Sequence, residues 1–286
     1  MHNKFYVHTC GGMGDHYLGY FSPKCKKYGL GFLEQLKEEY PNSTVKLIAH
    51  PANPQGPAFF KYHPHIDEIE THPWVAGLGN CKNKEEEGKG YIELEEFGRK
   101  KRWTKRKNET VYTSKQDDKF LETILNKKPF VVLHPFASDK ERMPIQLRQF
   151  FPLVDSIIED YGIKVVILGG SYKRTRNRLD QIKEEFPYER EGLINLIDKT
   201  NSRTAAKIIH SSKALIANHS GLWCAASIGG IKLIAMHRNP EYHSKWIKCV
   251  FADDGASSVV IDANENIKKD TIRTNIIEQL DKILRI

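Results

Sequence analysis

Apolar residues in this chain fall into short runs and helical stripes that alternate along nearly its whole length. KFYVHT (Lys4 to Thr9) predicts a first strand, and Gly29 to Tyr40 carries Leu30, Phe32, Leu33 and Leu36 at helical spacing until Pro41 ends the stripe. TVKLIAH (Thr44 to His50) predicts a second strand, a helix is expected around Ala58 to Tyr62, and His65 to Glu70 predicts a third strand. The opening is therefore βαβαβ. Asp117 to Asn126 reads as a helix, after which the alternation restarts. Strands are predicted at Phe130 to His134, Ile163 to Leu168 and Leu193 to Ile197, and helices at Pro144 to Tyr161, Lys173 to Phe186 and Arg203 to Ser211. The stretch from Lys213 to Met236 completes the series. It has an apolar run (Ala214 to Ala217), a turn (Asn218-His219-Ser220-Gly221), a helix-like stretch (Leu222 to Ile228) and a second apolar run (Ile231 to Met236). Ile272, Ile276, Ile277, Leu280, Ile283 and Leu284 form the stripe of a closing amphipathic helix within Ile267 to Ile286.

Strands followed by helices at this spacing predict an α/β fold with parallel, doubly wound sheets. At 286 residues the chain exceeds the usual single core. Two domains are expected, 1–126 and 127–265, divided near Asn126-Lys127-Lys128-Pro129, with 266–286 as the closing helix.

Charge narrows the partners more than the fold. A net charge of +8 favours anions: nucleotides, acidic sugars, lipid headgroups or nucleic acid. The mean hydropathy of -0.54 and the lack of an apolar run near 18 residues argue against a transmembrane helix. The amino-terminal stretch lacks the apolar core of a signal peptide, so a cytoplasmic location is expected, with peripheral membrane contact left open. Cys10, Cys25, Cys81, Cys224 and Cys249 are widely spaced with no C-x-x-C pair, so neither a disulfide framework nor a zinc site is expected.

Candidate chemistry concentrates in two turns. Asn218 to Gly221 lies between the carboxyl end of a strand and the amino end of a helix, where backbone N–H groups and the helix dipole attract anions, so a phosphate is expected there. The alternative is that Asn218 and Ser220 cap a buried helix. In the amino-terminal turn, Gly12 and Gly14 supply the first two glycines of G-x-G-x-x-G, but Tyr17 stands at the third, which speaks against hydride chemistry on NAD. Asp15 in that turn is either an N-cap or a general base held ionised by a helix amino terminus.

Elsewhere the readings stay double. Acidic residues Glu85 to Glu87 precede a basic run, Arg99 to Lys107, which is a solvated face or an acceptor site. In the second case Trp103 stacks on a ring while Arg99 and Arg102 hold phosphates or carboxylates. His63, His65 and His72 are read as polar surface rather than metal ligands. His210 is read as structural, and Arg238, ending a strand beside the organising turn, as a donor-phosphate contact.

Several stretches, in order, resemble one family. GGMGD, FLEQLKEEYPNSTVKLIA and HPHIDEIE in the first half resemble the family 9 glycosyltransferases, typified by ADP-heptose:lipopolysaccharide heptosyltransferases. VVLHPFASDKERMP, KVVILGG and GLINLIDKTNSRTAAKIIHSSKALIANHSGLWCAASIGG resemble them in the second. The resemblance implies a GT-B architecture of two Rossmann-like domains facing across a cleft, no metal or other cofactor, and inversion at the transferred sugar. It implies Asp15 as the base that deprotonates the acceptor, and Ser220, Gly221 and Leu222 as the turn holding the donor diphosphate. His134, Ala137 and Ser138 would approach the same phosphates, joined by Gly14, Gly170 and His219. The donor implied is a nucleotide-diphosphate sugar, an ADP-sugar first, and the acceptor an anionic glycan or glycolipid. DNA as acceptor, and a non-catalytic nucleotide- or glycan-binding protein, are the alternatives. The chain departs from the family pattern in four places. His219 stands where Asp is usual and Cys224 where His is usual. Glu141 replaces a lysine whose phosphate Lys140 or Arg142 could reach, and Lys173 and Arg174 replace an acidic ribose contact.

Overall fold

A computed structural model of the chain describes residues 4–8, 17, 31–49, 55–71, 110–125, 128–137, 142–170, 189–241, 247 and 258–285. It divides into two compact units, Met1–Ser114 with Asn201–Arg203, and Lys115–Thr200 with Thr204–Ile286. The division falls at Ser114/Lys115 rather than near Asn126. The helix expected to end the first domain is therefore the opening element of the second unit.

In the first unit β1 (Lys4–His8), α1 (Gly31–Glu39), β2 (Thr44–Ala49), α2 (Gln55–Phe60) and β3 (Glu68–Thr71) alternate as expected. The strands form a parallel sheet in the order β1-β2-β3. The stripe of α1 buries Phe32, Leu33 and Leu36, while β2 buries Val45, Leu47, Ile48 and Ala49. Cross-strand ion pairs follow the register, Lys46 to Glu68 at 3.4 Å, Lys46 to Glu70, and Lys4 to Glu68 at 3.6 Å. Such exposed pairs fix register more than they add stability. β3 begins at Glu68 rather than His65 because Ile66 N–H closes a turn onto the His63 carbonyl at 3.1 Å.

Tyr17 is fully buried, edge-on to Phe59 with ring centroids 5.0 Å apart, and its hydroxyl donates to the Ser202 carbonyl at 2.8 Å. The position that interrupts the dinucleotide fingerprint is thus an aromatic core residue. Ser202 Oγ donates to the Gln55 carbonyl and Arg203 Nη1 to the Ala58 carbonyl, each at 2.7 Å, which accounts for Asn201–Arg203 counting with the first unit.

The second unit runs α3 (Lys115–Leu125), β4 (Phe130–His134), a 3-10 turn (Leu147–Phe150), α4 (Phe151–Tyr161), β5 (Lys164–Ile167), β6 (Leu193–Asn195), α5 (Ser202–His210), β7 (Ala214–Asn218), α6 (Leu222–Gly229), β8 (Lys232–His237), β9 (Ser258–Asp262) and α7 (Lys269–Leu284). Its six strands are all parallel in the order β6-β5-β4-β7-β8-β9. The central strands are continuous apolar runs because a parallel sheet is covered on both faces, and β4 and β7 are buried at every residue. Glycines in the left-handed region stop two helices, Gly162 (φ 62) after α4 and Gly230 (φ 66) after α6. Leu153, Val154 and Ile157 of α4 share one core with Ile272, Ile276 and Leu280 of α7 and with strand residues Val131, Leu133, Ile216 and Ile234.

Two expectations change. The helix expected from Pro144 starts at Leu147 with a 3-10 turn, where Gln149 Oε1 accepts the Gln146 N–H at 2.8 Å. β9 was not anticipated. It is a five-residue edge strand whose pairing with β8 is not visible in its own pattern. The helix expected at Lys173 to Phe186 lies outside the described residues. Among the described residues no helix is long and apolar enough to cross a membrane.

Candidate functional site

From β4 the chain winds outward to β5 and β6, then returns to the other side of β4 and winds outward through β7, β8 and β9. The order therefore reverses between β4 and β7. At such a point the loops leaving the two strands run in opposite directions and open a crevice at the carboxyl edge of the sheet, where α/β proteins take their ligands. His134 to Ala137 leave β4 at this edge, and His219 to Gly221 leave β7.

The β7 turn is built for an anion. Gly221 is the N-cap of α6 and makes no side-chain cap, while Ser220 Oγ accepts the Leu222 N–H at 3.2 Å. Among the described residues the amides of Ser220 and Gly221 donate to no acceptor. His219, Ser220 and Gly221 are half-buried and in reach of solvent, whereas all eight residues of α6 behind them are buried. A helix dipole ending in two such amides favours a negative group, and burial limits its screening.

The neighbouring side chains divide by charge. Arg142 is exposed, and its carbonyl accepts the His219 N–H at 3.2 Å, so its backbone lies against the turn. Arg238 follows β8 at the same edge, also exposed, 3.8 Å from Glu265. His134 brings no cation. Burial lowers its pKa to about 4, and its Nδ1 lies 2.9 Å from the Leu168 carbonyl. A carbonyl only accepts, so the proton sits on Nδ1 and Nε2 is the acceptor of a neutral ring. His219 packs between Trp223 (centroids 4.6 Å) and His237 (5.7 Å), and His237 Nδ1 accepts the Asn239 N–H at 2.8 Å.

Asn218 does not cap the helix. Its carboxamide turns the other way, and Nδ2 donates to the Pro135 carbonyl at 2.7 Å and the Ile145 carbonyl at 2.8 Å.

Of the residues expected to bind donor, His134, Ala137, Arg142, Gly170, His219, Ser220, Gly221, Leu222 and Arg238 are all placed in the second unit at or beside this carboxyl edge. Ala137 and Leu222 are buried, which leaves their backbones, not their side chains, to serve. Gly170 is exposed beyond β5, and a Cβ built on it would sit 4.0 Å from Asp198 Oδ1. Gly14, Asp15, Arg99, Arg102, Trp103, Ser138 and Lys140 lie outside the described residues, as do Glu141, Lys173 and Arg174.

Sequence reasoning missed three features. Asp198 holds a left-handed backbone (φ 58) beyond β6, with its N–H donating to the Gly169 carbonyl at 2.9 Å. The Phe136 ring covers Gly169, where a Cβ would fall 2.3 Å from it. The third is the pair of hydrogen bonds donated by Asn218 Nδ2, whose one legible signal is Pro135, a residue with no N–H placed directly after an apolar run. Among the described residues no group of three or more His, Cys, Asp or Glu side chains is disposed to hold a metal. His63 is buried, with Nδ1 accepting the His65 N–H at 3.3 Å, while His72 lies outside the described residues.

The sequence matches no family model and no curated relative. Its fold matches solved structures over nearly its whole length. E. coli ADP-heptose lps heptosyltransferase II is 14% identical at a TM-score of 0.60, covering 99% of this chain and 98% of that one. The glycosyl transferase family 9 protein from Veillonella parvula is 15% identical at 0.59, covering 99% and 97%. E. coli heptosyltransferase WaaC with ADP is 10% identical at 0.54, covering 99% and 100%. Likeness at such identities establishes the fold, which is of the GT-B class with two Rossmann-like α/β units.

Proposed function

We propose that this protein is an inverting glycosyltransferase that moves a sugar from a nucleotide-diphosphate sugar to a glycan or glycolipid acceptor without a metal. The observation that carries the proposal is the switch-point corner, where the amides of Ser220 and Gly221, without an acceptor among the described residues, end a buried helix at the sheet edge that also carries Arg142 and Arg238. The full-length likeness to heptosyltransferases supports it.

The chemistry follows from charge. As the bond to the anomeric carbon breaks, negative charge grows on the leaving diphosphate. Fixed amides and guanidinium groups meet it without reorganising, which is the work a metal would otherwise do. His134, neutral and buried, orients a hydroxyl at Nε2 rather than balancing that charge. Inversion needs the attacking oxygen on the face opposite the leaving group. Asp15 takes its proton, and Arg99, Arg102 and Trp103 hold an anionic acceptor. The ADP of the similar E. coli enzyme makes an ADP-sugar the first donor to try.

The test is a binding and turnover screen with ADP-, UDP- and GDP-sugars. One nucleoside diphosphate should stabilise the chain by about 2.7 kcal/mol when present at roughly a hundred times its dissociation constant. Asp15→Asn should lose transfer and keep that binding. Absence of stabilisation by every nucleotide tried overturns the proposal.

A further inference from the structure

The register of β4 against β7 pairs His134 with Ala217, so the next pair in line is Pro135 with Asn218. Pro135 has no N–H, and the backbone ladder stops there. The Asn218 side chain carries the connection one step further by donating to the Pro135 carbonyl at 2.7 Å. Its second N–H goes to the Ile145 carbonyl at 2.8 Å. One acceptor follows β4 directly and the other lies just before the 3-10 turn. Between them the Arg142 carbonyl accepts the His219 N–H at 3.2 Å. The dipeptide Asn218-His219 therefore holds Pro135, Arg142 and Ile145 by their backbone carbonyls, directly before the Ser220-Gly221 amides.

Asn218 is fully buried, and its Oδ1 has no partner among the described residues. A buried acceptor left without a partner is a cost, and buried polar groups without partners are few. The side chain is satisfied on its donor side alone, as expected of a residue retained for its two N–H groups. Only a carboxamide at this reach offers two coplanar donors: aspartate has none, serine one, and glutamine is a methylene longer.

We infer that Asn218 is a positioning residue, which sets Pro135 and the stretch 142–145, and with it Arg142, against the amide corner before the donor diphosphate arrives. This rests on the glycosyltransferase reading and adds to it. Preorganisation of this kind acts on the diphosphate rather than on the nucleoside, because this stretch meets the corner where the phosphates lie.

The experiment compares wild type, Asn218→Ser and Asn218→Asp for binding of the nucleoside diphosphates ADP, UDP and GDP and the matching monophosphates, by calorimetry. Thermal melting is recorded in parallel. The expected result is that wild type prefers a diphosphate, and that both variants lose about tenfold of that preference while monophosphate affinity is unchanged. A purely structural role would lower the melting temperature and leave the preference intact, and that result overturns the inference. If neither variant folds, hydrogen exchange of the wild-type chain decides. Protection of the amides within 142–145 before nucleotide is added supports the inference, and protection that appears only with nucleotide overturns it. Wild type that binds no nucleoside diphosphate removes the functional reading and this inference together. Binding and preference shared undiminished by the variants remove this inference alone.

Discussion

The imidazole of His210 occupies the space beside Gly229, where a Cβ would fall 2.3 Å from the ring. His210 Nε2 lies 3.1 Å from the Ala225 carbonyl of the same helix, so α5 and α6 approach closely because one contributes a histidine and the other a glycine. Gly229→Ala should destabilise the protein by about 1–3 kcal/mol through overpacking. Calorimetry should show a lower melting temperature, and His210→Ala in the same chain should recover part of the loss. A double variant whose penalties simply add would show that the ring is not the obstacle.

Buried histidines should make the fold acid-sensitive. Burial lowers the pKa of His63, His134 and His210 to about 4 in each case. The unfolded chain takes up these protons near the ordinary value of about 6.5, before the folded chain does. Their contribution is complete above that value and is lost as pH falls from about 6.5 toward 4, by up to about 3 kcal/mol per residue. Urea unfolding over this range should show falling stability. His63→Asn, which keeps an acceptor for the His65 amide, should flatten the curve, and an unchanged slope would remove His63 from the account.

Arg142 is the site arginine whose backbone lies against the turn, its carbonyl accepting the His219 N–H, whereas Arg238 lies 3.8 Å from Glu265. Arg142→Ala should weaken binding of a nucleoside diphosphate by roughly tenfold, as for a lost charge-assisted hydrogen bond, and Arg238→Ala by less. Raising the salt concentration should weaken wild-type binding more than that of Arg142→Ala. Calorimetric titration separates these outcomes. Equal salt dependence in the two proteins would mean that Arg142 does not meet the phosphates.

The closing helix belongs to the core. Leu280 of α7 is fully buried in the cluster that includes Leu153 and Ile157 of α4. Leu280→Ala should cost about 2–5 kcal/mol, the range for a buried leucine whose site only partly collapses. The measurement is a shift of the urea midpoint with an unchanged slope, and a loss below 1 kcal/mol, small beside that range, would place α7 at the margin of the fold.

Much of this was legible along the chain. Strand β4 was read with its observed bounds, and the turn at Asn218 to Gly221 fell where β7 and α6 meet. Both signals are local: an apolar run covered on two faces, and a helix that begins where capping and glycine residues stand. β9 escaped because SVVID is short and is made a strand by β8 beside it. Tyr17 shows the opposite case, in which a negative signal had a positive cause. Its side chain fills the first unit's core against Phe59.

What the sequence by itself determined is the succession of strands and helices, since hydrophobic period and turn chemistry act over a few neighbouring residues. Only the tertiary structure decided which strand ends adjoin, because strand order is set by packing between segments far apart in the chain. The partners of Asn218 lie 83 and 73 residues away, and no local pattern could name them. Nor could it show that His134 is a neutral buried ring, since that depends on the Leu168 carbonyl and on the atoms that exclude water around it.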